Sequence, residues 1–240
     1  SGELVAHLLN GAWRQLIPEL KTTTEELTAV APQLLGSGSS GLVWRRINHT
    51  DLQNSPAAFD LKQAYRLQSL YAGLHEIKIQ QAIELLHAAQ IEPVLLKGRA
   101  IADLYPERAL RPYGDIDLCF KEQQYASALA VLDTPECREF NVDPHKELDR
   151  LYGLSFDELL ASSQIKKVGK ATVLVPCLEH HLRILCLHFL KHGAWRPLSL
   201  CDVAAALESR SESFNWDRCL GNDKLITDWV ACTIGLAHSL

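Results

Sequence analysis

Two aspartates in the run Tyr113-Gly114-Asp115-Ile116-Asp117-Leu118-Cys119-Phe120 are the side chains best placed to do chemistry. Alternate residues of an extended strand share a face, so Asp115 and Asp117 project together, roughly 6.6 Å apart along the backbone, with Ile116 and Leu118 buried behind them. Two like charges on one face repel unless a cation sits between them, and hard divalent ions such as Mg²⁺ take oxygen ligands of this kind. Upstream, Val94-Leu95-Leu96-Lys97-Gly98 ends an apolar run at a glycine, where a phosphate can approach the backbone and the N–H groups of a following helix. Downstream, Asp143 ends a short strand expected over 140–143. If that strand neighbours the one holding Asp117, three carboxylates converge and can hold two divalent ions about 4 Å apart, the arrangement for in-line displacement at phosphorus.

These residues need a sheet to position them. Short apolar runs ending at glycine or proline predict strands over 94–96, 116–120 and 140–143 and a hairpin over 165–175 turning at Gly169-Lys170, with helices over 99–104 and 122–132 between them. Before residue 90 the pattern is helical: Leu67, Leu70, Tyr71, Leu74 and Ile77 recur at helix spacing in a stretch without proline, and Leu34 to Gly41 reads as a flexible Gly/Ser connection. After Pro176 helices are expected over 178–193, beyond Pro197, and over 223–238. The expected fold class is therefore α+β, a small mixed sheet between helical segments, divided as 1–90, 91–176 and 177–240.

At 240 residues with 47% hydrophobic composition the chain can bury a substantial core. A formal net charge of -5 gives no general attraction to nucleic acid. The 7 cysteines form no C-x-x-C pair and read as reduced core residues of a cytoplasmic protein. No apolar run is long enough to span a bilayer, so no membrane role is expected.

The chain resembles the DNA polymerase β-like nucleotidyltransferases, and within them the bacterial family of uncharacterised nucleotidyltransferases. The resemblance runs from about residue 60 onward. It rests on Val94 to Gly98, Tyr105-Pro106, the run Arg111 to Leu118, the step Val142 to His145, and His188 and His192 followed by Trp195 and Asp202. It implies that Asp115, Asp117 and Asp143 are catalytic and bind Mg²⁺ or Mn²⁺, and that Lys97-Gly98 replaces a Gly-Ser turn. Lys97, Gly98, Arg111 and His192 would contact the nucleotide, ATP or another nucleoside triphosphate. A lineage-typical apolar residue is replaced by Pro144. The acceptor, whether protein, peptide, small molecule or tRNA end, is not encoded in any motif.

Plainer roles compete for the same residues. Asp115 and Asp117 suit a solvated edge strand, Asp143 a helix N-cap before Pro144, Lys97 a solvated strand end, and Arg111 a partner for Glu107. His145 can orient Asp143, donate to a phosphate, or simply cap. Asp202 reads as an N-cap or ion-pair partner, and Trp195 and Trp216 as packing residues. The expected activity is metal-dependent transfer of a nucleoside monophosphate to an acceptor hydroxyl with release of pyrophosphate. A degenerate nucleotide- or partner-binding module and a metal-dependent phosphoester hydrolase are the alternatives. Asp115→Asn or Asp117→Asn is expected to abolish transfer without unfolding the chain.

Overall fold

The period of two in Ile116–Phe120 decides which way the central strand faces. Ile116, Leu118 and Phe120 join one apolar cluster with Ile79, Ile83 and Leu86, whereas Cys119 joins the other with Val94, Leu96 and Leu182. Both faces are covered, and all five residues are buried. The structure is a computed structural model describing residues 2–146, 148 and 152–240. Its strands are β1 (Val94–Leu95), β2 (Ile116–Phe120), β3 (Val142–Lys146), β4 (Gln164–Val168) and β5 (Ala171–Val175). They form one five-stranded sheet in the order β3-β2-β1-β5-β4. The β1–β2 and β4–β5 pairs are antiparallel, and the β2–β3 and β1–β5 pairs are parallel. The fold is α+β, as the sequence pattern predicts.

The strand expected over 140–143 instead starts at Val142 and continues through Pro144 to Lys146. Asn141 takes a left-handed conformation at φ 57°, and its amide donates to the Gly114 carbonyl at 2.6 Å. That turn sends the chain alongside β2, where the Ile116 N–H donates to the Asn141 carbonyl at 3.0 Å. Backbone groups alternate in direction, so residues 141, 143 and 145 address β2 and Pro144 faces the outer edge. Its missing N–H costs no ladder bond there. The Pro144 carbonyl accepts from the Tyr125 hydroxyl at 3.4 Å, from helix 122–132 beside it.

The N-terminal region folds as α1 (Gly2–Leu9), α2 (Thr24–Gly36), α3 (Ser40–Ile47) and α4 (Pro56–Ala88). α2 starts at a Thr23/Glu26 capping box, and α4 at Ser55 with Pro56 in its first turn. The flexible connection expected at 34–41 is instead a packed turn. Ser37, Ser39 and Ser40 are buried, and the Ser37 hydroxyl donates to Ser39 at 2.9 Å. A Cβ at Gly41 would lie 3.1 Å from both Tyr65 and Gln68, so small residues mark close helix approach here.

The shorter α5 (Arg99–Ala102), α6 (Glu122–Leu132) and α7 (Pro135–Arg138) follow, with α6 against β2 and β3, and α8 (Phe156–Ser162) precedes the hairpin. The chain continues through α9 (Leu178–Lys191), α10 (Pro197–Glu208), α11 (Trp216–Leu220) and α12 (Lys224–His238). α9 covers the Cys119 face of the sheet, where Leu182 and Cys186 share a cluster with Val94 and Leu96, and His181 donates to the Leu96 carbonyl. All seven cysteines are free, and all but Cys232 are buried. No helix among the described residues is long and apolar enough to cross a membrane.

Candidate active site

The parallel register of β2 and β3 sets Asp117 directly beside Asp143, and His145 lies one alternate position further along β3. The His145 Nε2 is 3.0 Å from Asp117 Oδ1 and 3.3 Å from Asp143 Oδ2. Two residues past β1, Lys97 reaches the same Asp117 oxygen with its Nζ at 2.6 Å and also donates to His188 Nδ1 on α9 at 3.3 Å. Asp117 is 3% exposed. Burial opposes its ionisation, but the hydrogen bond from His145 and the charge and hydrogen bond of Lys97 outweigh it and hold the carboxyl at about 2. Burial, reinforced by the charge of Lys97, pushes His188 down to about 3, so its imidazole is neutral and accepts a hydrogen bond from the lysine.

Two adjoining cavities of about 330 and 300 Å³ open here, both bordered by Lys97, Asp115, His188 and Arg196. The first also touches Gly98, Arg111 and Asp117, and the second Asp143, His145, Lys191 and His192. Every site residue named from sequence therefore borders one or both. Asp115 is exposed, just before β2, at the rim common to the two. Its carboxylate is not among the donors that converge: those are Asp117, Asp143 and His145, whose ligand atoms lie within 4.8 Å of one another.

The helix expected over 99–104 is a single turn, Arg99–Ala102, too short to concentrate a strong dipole on an anion. Gly98 keeps its importance through the backbone, with φ 54° and ψ −111°. Gly98→Ala would place a Cβ 3.4 Å from Tyr113 in a conformation that disfavours side chains. It should cost about 1–2 kcal/mol, read as a lower urea midpoint.

Arg111 is engaged elsewhere than the sequence suggests. Its guanidinium is bidentate to Asp202 on α10, at 2.8 Å for the closest pair, and the buried Tyr105 hydroxyl donates to the same carboxylate at 2.7 Å. Glu107 instead accepts from Tyr65. Burial alone would lower the Arg111 pKa, but Asp202 raises it above the ordinary value. Arg111 borders only the first cavity, whereas Arg196, between α9 and α10, borders both, and its Nε donates to the Ser37 carbonyl at 3.0 Å. No carboxylate lies in ion-pair range of it among the described residues. Arg196 also borders a third cavity of about 500 Å³ together with Phe189 and Trp195, and Trp195 is 65% exposed rather than packed.

Sequence reasoning left His145 among secondary roles and passed over Arg196. For His145 the signal was available, since it alternates with Asp143 and must share its face. Arg196 sits in an interhelical turn with no periodicity to read. His192 lies against His188 with ring centres 4.2 Å apart and planes tilted by 47°, on the wall of the second cavity.

Two carboxylates and an imidazole whose ligand atoms converge suit a divalent cation, which would compete with the Lys97 ammonium for Asp117. The oxygens match Mg²⁺ or Mn²⁺, and the nitrogen extends the range toward softer transition ions. Asp117 and Asp143 would be its first ligands, with His145 able to rotate from hydrogen-bond donor to ligand. Neither a curated protein nor a solved structure matches the chain. The pattern defining the uncharacterised nucleotidyltransferases matches residues 37–226, which include the Lys97-Gly98 turn, Asp117, Asp143, His145 and Arg196. The chain belongs to that family.

Proposed function

We propose that the protein transfers a nucleoside monophosphate from a nucleoside triphosphate, ATP among them, to an acceptor hydroxyl, releasing pyrophosphate. The observation that supports it most is the convergence of Asp117, Asp143 and His145 beside a cavity walled by Lys97 and Arg196. A divalent ion, Mg²⁺ or Mn²⁺, supplies neutralisation of phosphate charge and a lowered pKa for the attacking hydroxyl. Asp117 and Asp143 would hold that ion, and Asp115 adds negative charge at the cavity rim without joining their cluster. Lys97 fixes the Asp117 carboxylate in one orientation and presents positive charge at the Gly98 turn. Arg196, anchored through its Nε, keeps its terminal nitrogens for the triphosphate, while Lys191 and His192 flank the leaving end. Most of the acceleration then comes from orientation and charge placement, with no covalent intermediate on the protein. The polymerase β-like ancestry implied by the sequence fits this division of roles.

One observation favours a second reading, a nucleotide-binding module without turnover. The 2.6 Å Lys97–Asp117 pair already satisfies the buried carboxylate without a metal. Incubation with each labelled nucleoside triphosphate, Mg²⁺ or Mn²⁺, and cell extract, followed by mass spectrometry, separates the two. Transfer predicts pyrophosphate release and an acceptor heavier by one nucleoside monophosphate. Metal-independent binding by calorimetry without pyrophosphate would instead establish the module.

Arg196→Ala should raise KM for the triphosphate on the order of 10-fold or more with a small change in kcat, because a charge-assisted phosphate contact is lost. Arg111→Ala should chiefly lower the thermal midpoint, since it strands the buried Asp202. Equal KM effects from both would show that Arg196 has no special place at the phosphates.

A further inference from the structure

The 33-residue α4 turns one face to the protein and leaves a row of large apolar side chains on the other. Leu67, Leu70, Leu74 and Ile77 are each more than half exposed, as are Phe59 and Tyr71 on the same side. At 100° per residue Phe59, Leu67, Leu70, Tyr71, Leu74 and Ile77 fall within one stripe about 120° wide. The four central residues step by three, four and three, which is the a/d spacing of a coiled-coil seam.

We propose that this stripe is a homodimer interface, occupied by α4 of a second copy of the chain running antiparallel. The sequence is symmetric about Ala72. A two-fold axis there sets Leu67 against the partner's Ile77 and Leu70 against the partner's Leu74, and repeats both layers on the other side. An isologous contact requires this self-complementarity. Gly73, matched to the partner's Tyr71 at the edge of the seam, has open space around the position of a Cβ, which leaves room for that ring. The next layer out matches Gln63 with Gln81, and the one beyond opposes Asp60 to Glu84, whose repulsion ends the seam and resists sliding.

The area is of the right order. The five large side chains between the two acidic layers, each more than half exposed, offer roughly 500 Å² of apolar surface. With the flanking polar residues this approaches the roughly 800 Å² per partner of a stable complex. The helix is already held on its other face, where Gln68 donates to Ser40 at 3.0 Å and Glu76 pairs with Arg108 at 3.0 Å, so association need not order it.

Sedimentation velocity on the full chain at about 1–100 µM tests this, with dimer expected at the upper concentrations. Leu70→Glu combined with Leu74→Glu should weaken association about 100-fold or more while leaving the circular dichroism spectrum unchanged, because both positions face solvent in the monomer. A wild-type chain that stays monomeric throughout, or a dimer indifferent to the double substitution, would overturn the proposal. Register is read by oxidising a mixture of Leu67→Cys and Ile77→Cys proteins, each also carrying Cys232→Ser. Disulfides between the two variants support the antiparallel seam, and 67-to-67 disulfides overturn it.

Discussion

Asp117→Asn should lower nucleotidyl transfer by about 10³-fold and, unlike Asp143→Asn, destabilise the fold as well. The sequence alone predicts loss of activity without unfolding. The structure changes that expectation for Asp117, because its carboxylate is 3% exposed and is the ion-pair partner of Lys97, itself buried. Removing one member of such a pair leaves the other charged and unpaired in the interior, which costs about 3 kcal/mol or more. Asp143→Asn is the control. Its side chain is 55% exposed, so it should lose comparable activity with an unchanged urea midpoint. Asp117→Asn joined to Lys97→Met should recover stability but not transfer. Full activity in Asp117→Asn would remove the proposed mechanism. Equal stability of Asp117→Asn and wild type would show that the Lys97 pair contributes nothing to folding. The carboxyl is also depressed to about 2 from an ordinary 3.8. Its contribution, roughly 2 kcal/mol, is therefore complete above pH 3.8 and disappears only as pH falls through 2.

A much earlier acid transition should come from the histidines of α9. Burial holds His180 and His181 at about 4 and His188 at about 3, all below the ordinary 6.5. The unfolded chain takes up protons at these positions below pH 6.5 while the folded chain does not, so stability is complete above that pH and falls as acid is added. Each histidine contributes a slope of about 1.4 kcal/mol per pH unit between 6.5 and its folded value. Three together give roughly 4 kcal/mol per unit, enough to exhaust a typical domain's stability of about 5–15 kcal/mol within a few units. Urea midpoints measured from pH 7.5 down to 5 should drop steeply, and His180→Gln should reduce the slope by about a third. A midpoint flat across that range would mean the histidines protonate freely in the folded state.

The sheet and much of its surroundings were legible because their signals are local. Alternation located β2, and proline and glycine located the hairpin and the starts of α9 and α10. β3 was displaced because its course depends on a left-handed Asn141 and on Pro144 lying on an outer edge, both of which are consequences of pairing with β2. The same limit applied to the site. Asp117 and Asp143 announce themselves through spacing, but the Arg111–Asp202 pair spans 91 positions, and no motif encodes it. The serines of residues 37–40 carry the composition of a linker, yet the closeness of α4 makes them a packed turn. The stripe on α4 was visible as a helix pattern, but periodicity cannot say whether an apolar face meets the chain's own core or another molecule.

Pro144 has one more effect. The outermost strand of an open sheet is a template on which a foreign chain can zip itself by main-chain bonding, the first step toward cross-β aggregates. β3 is such a strand, and it carries two of the three converging donors. With no amide hydrogen at Pro144 and a tyrosine hydroxyl already seated on its carbonyl, an incoming chain finds neither half of the rung it needs. The residue that interrupts the strand pattern thus blocks one rung of main-chain pairing on the edge that carries Asp143 and His145.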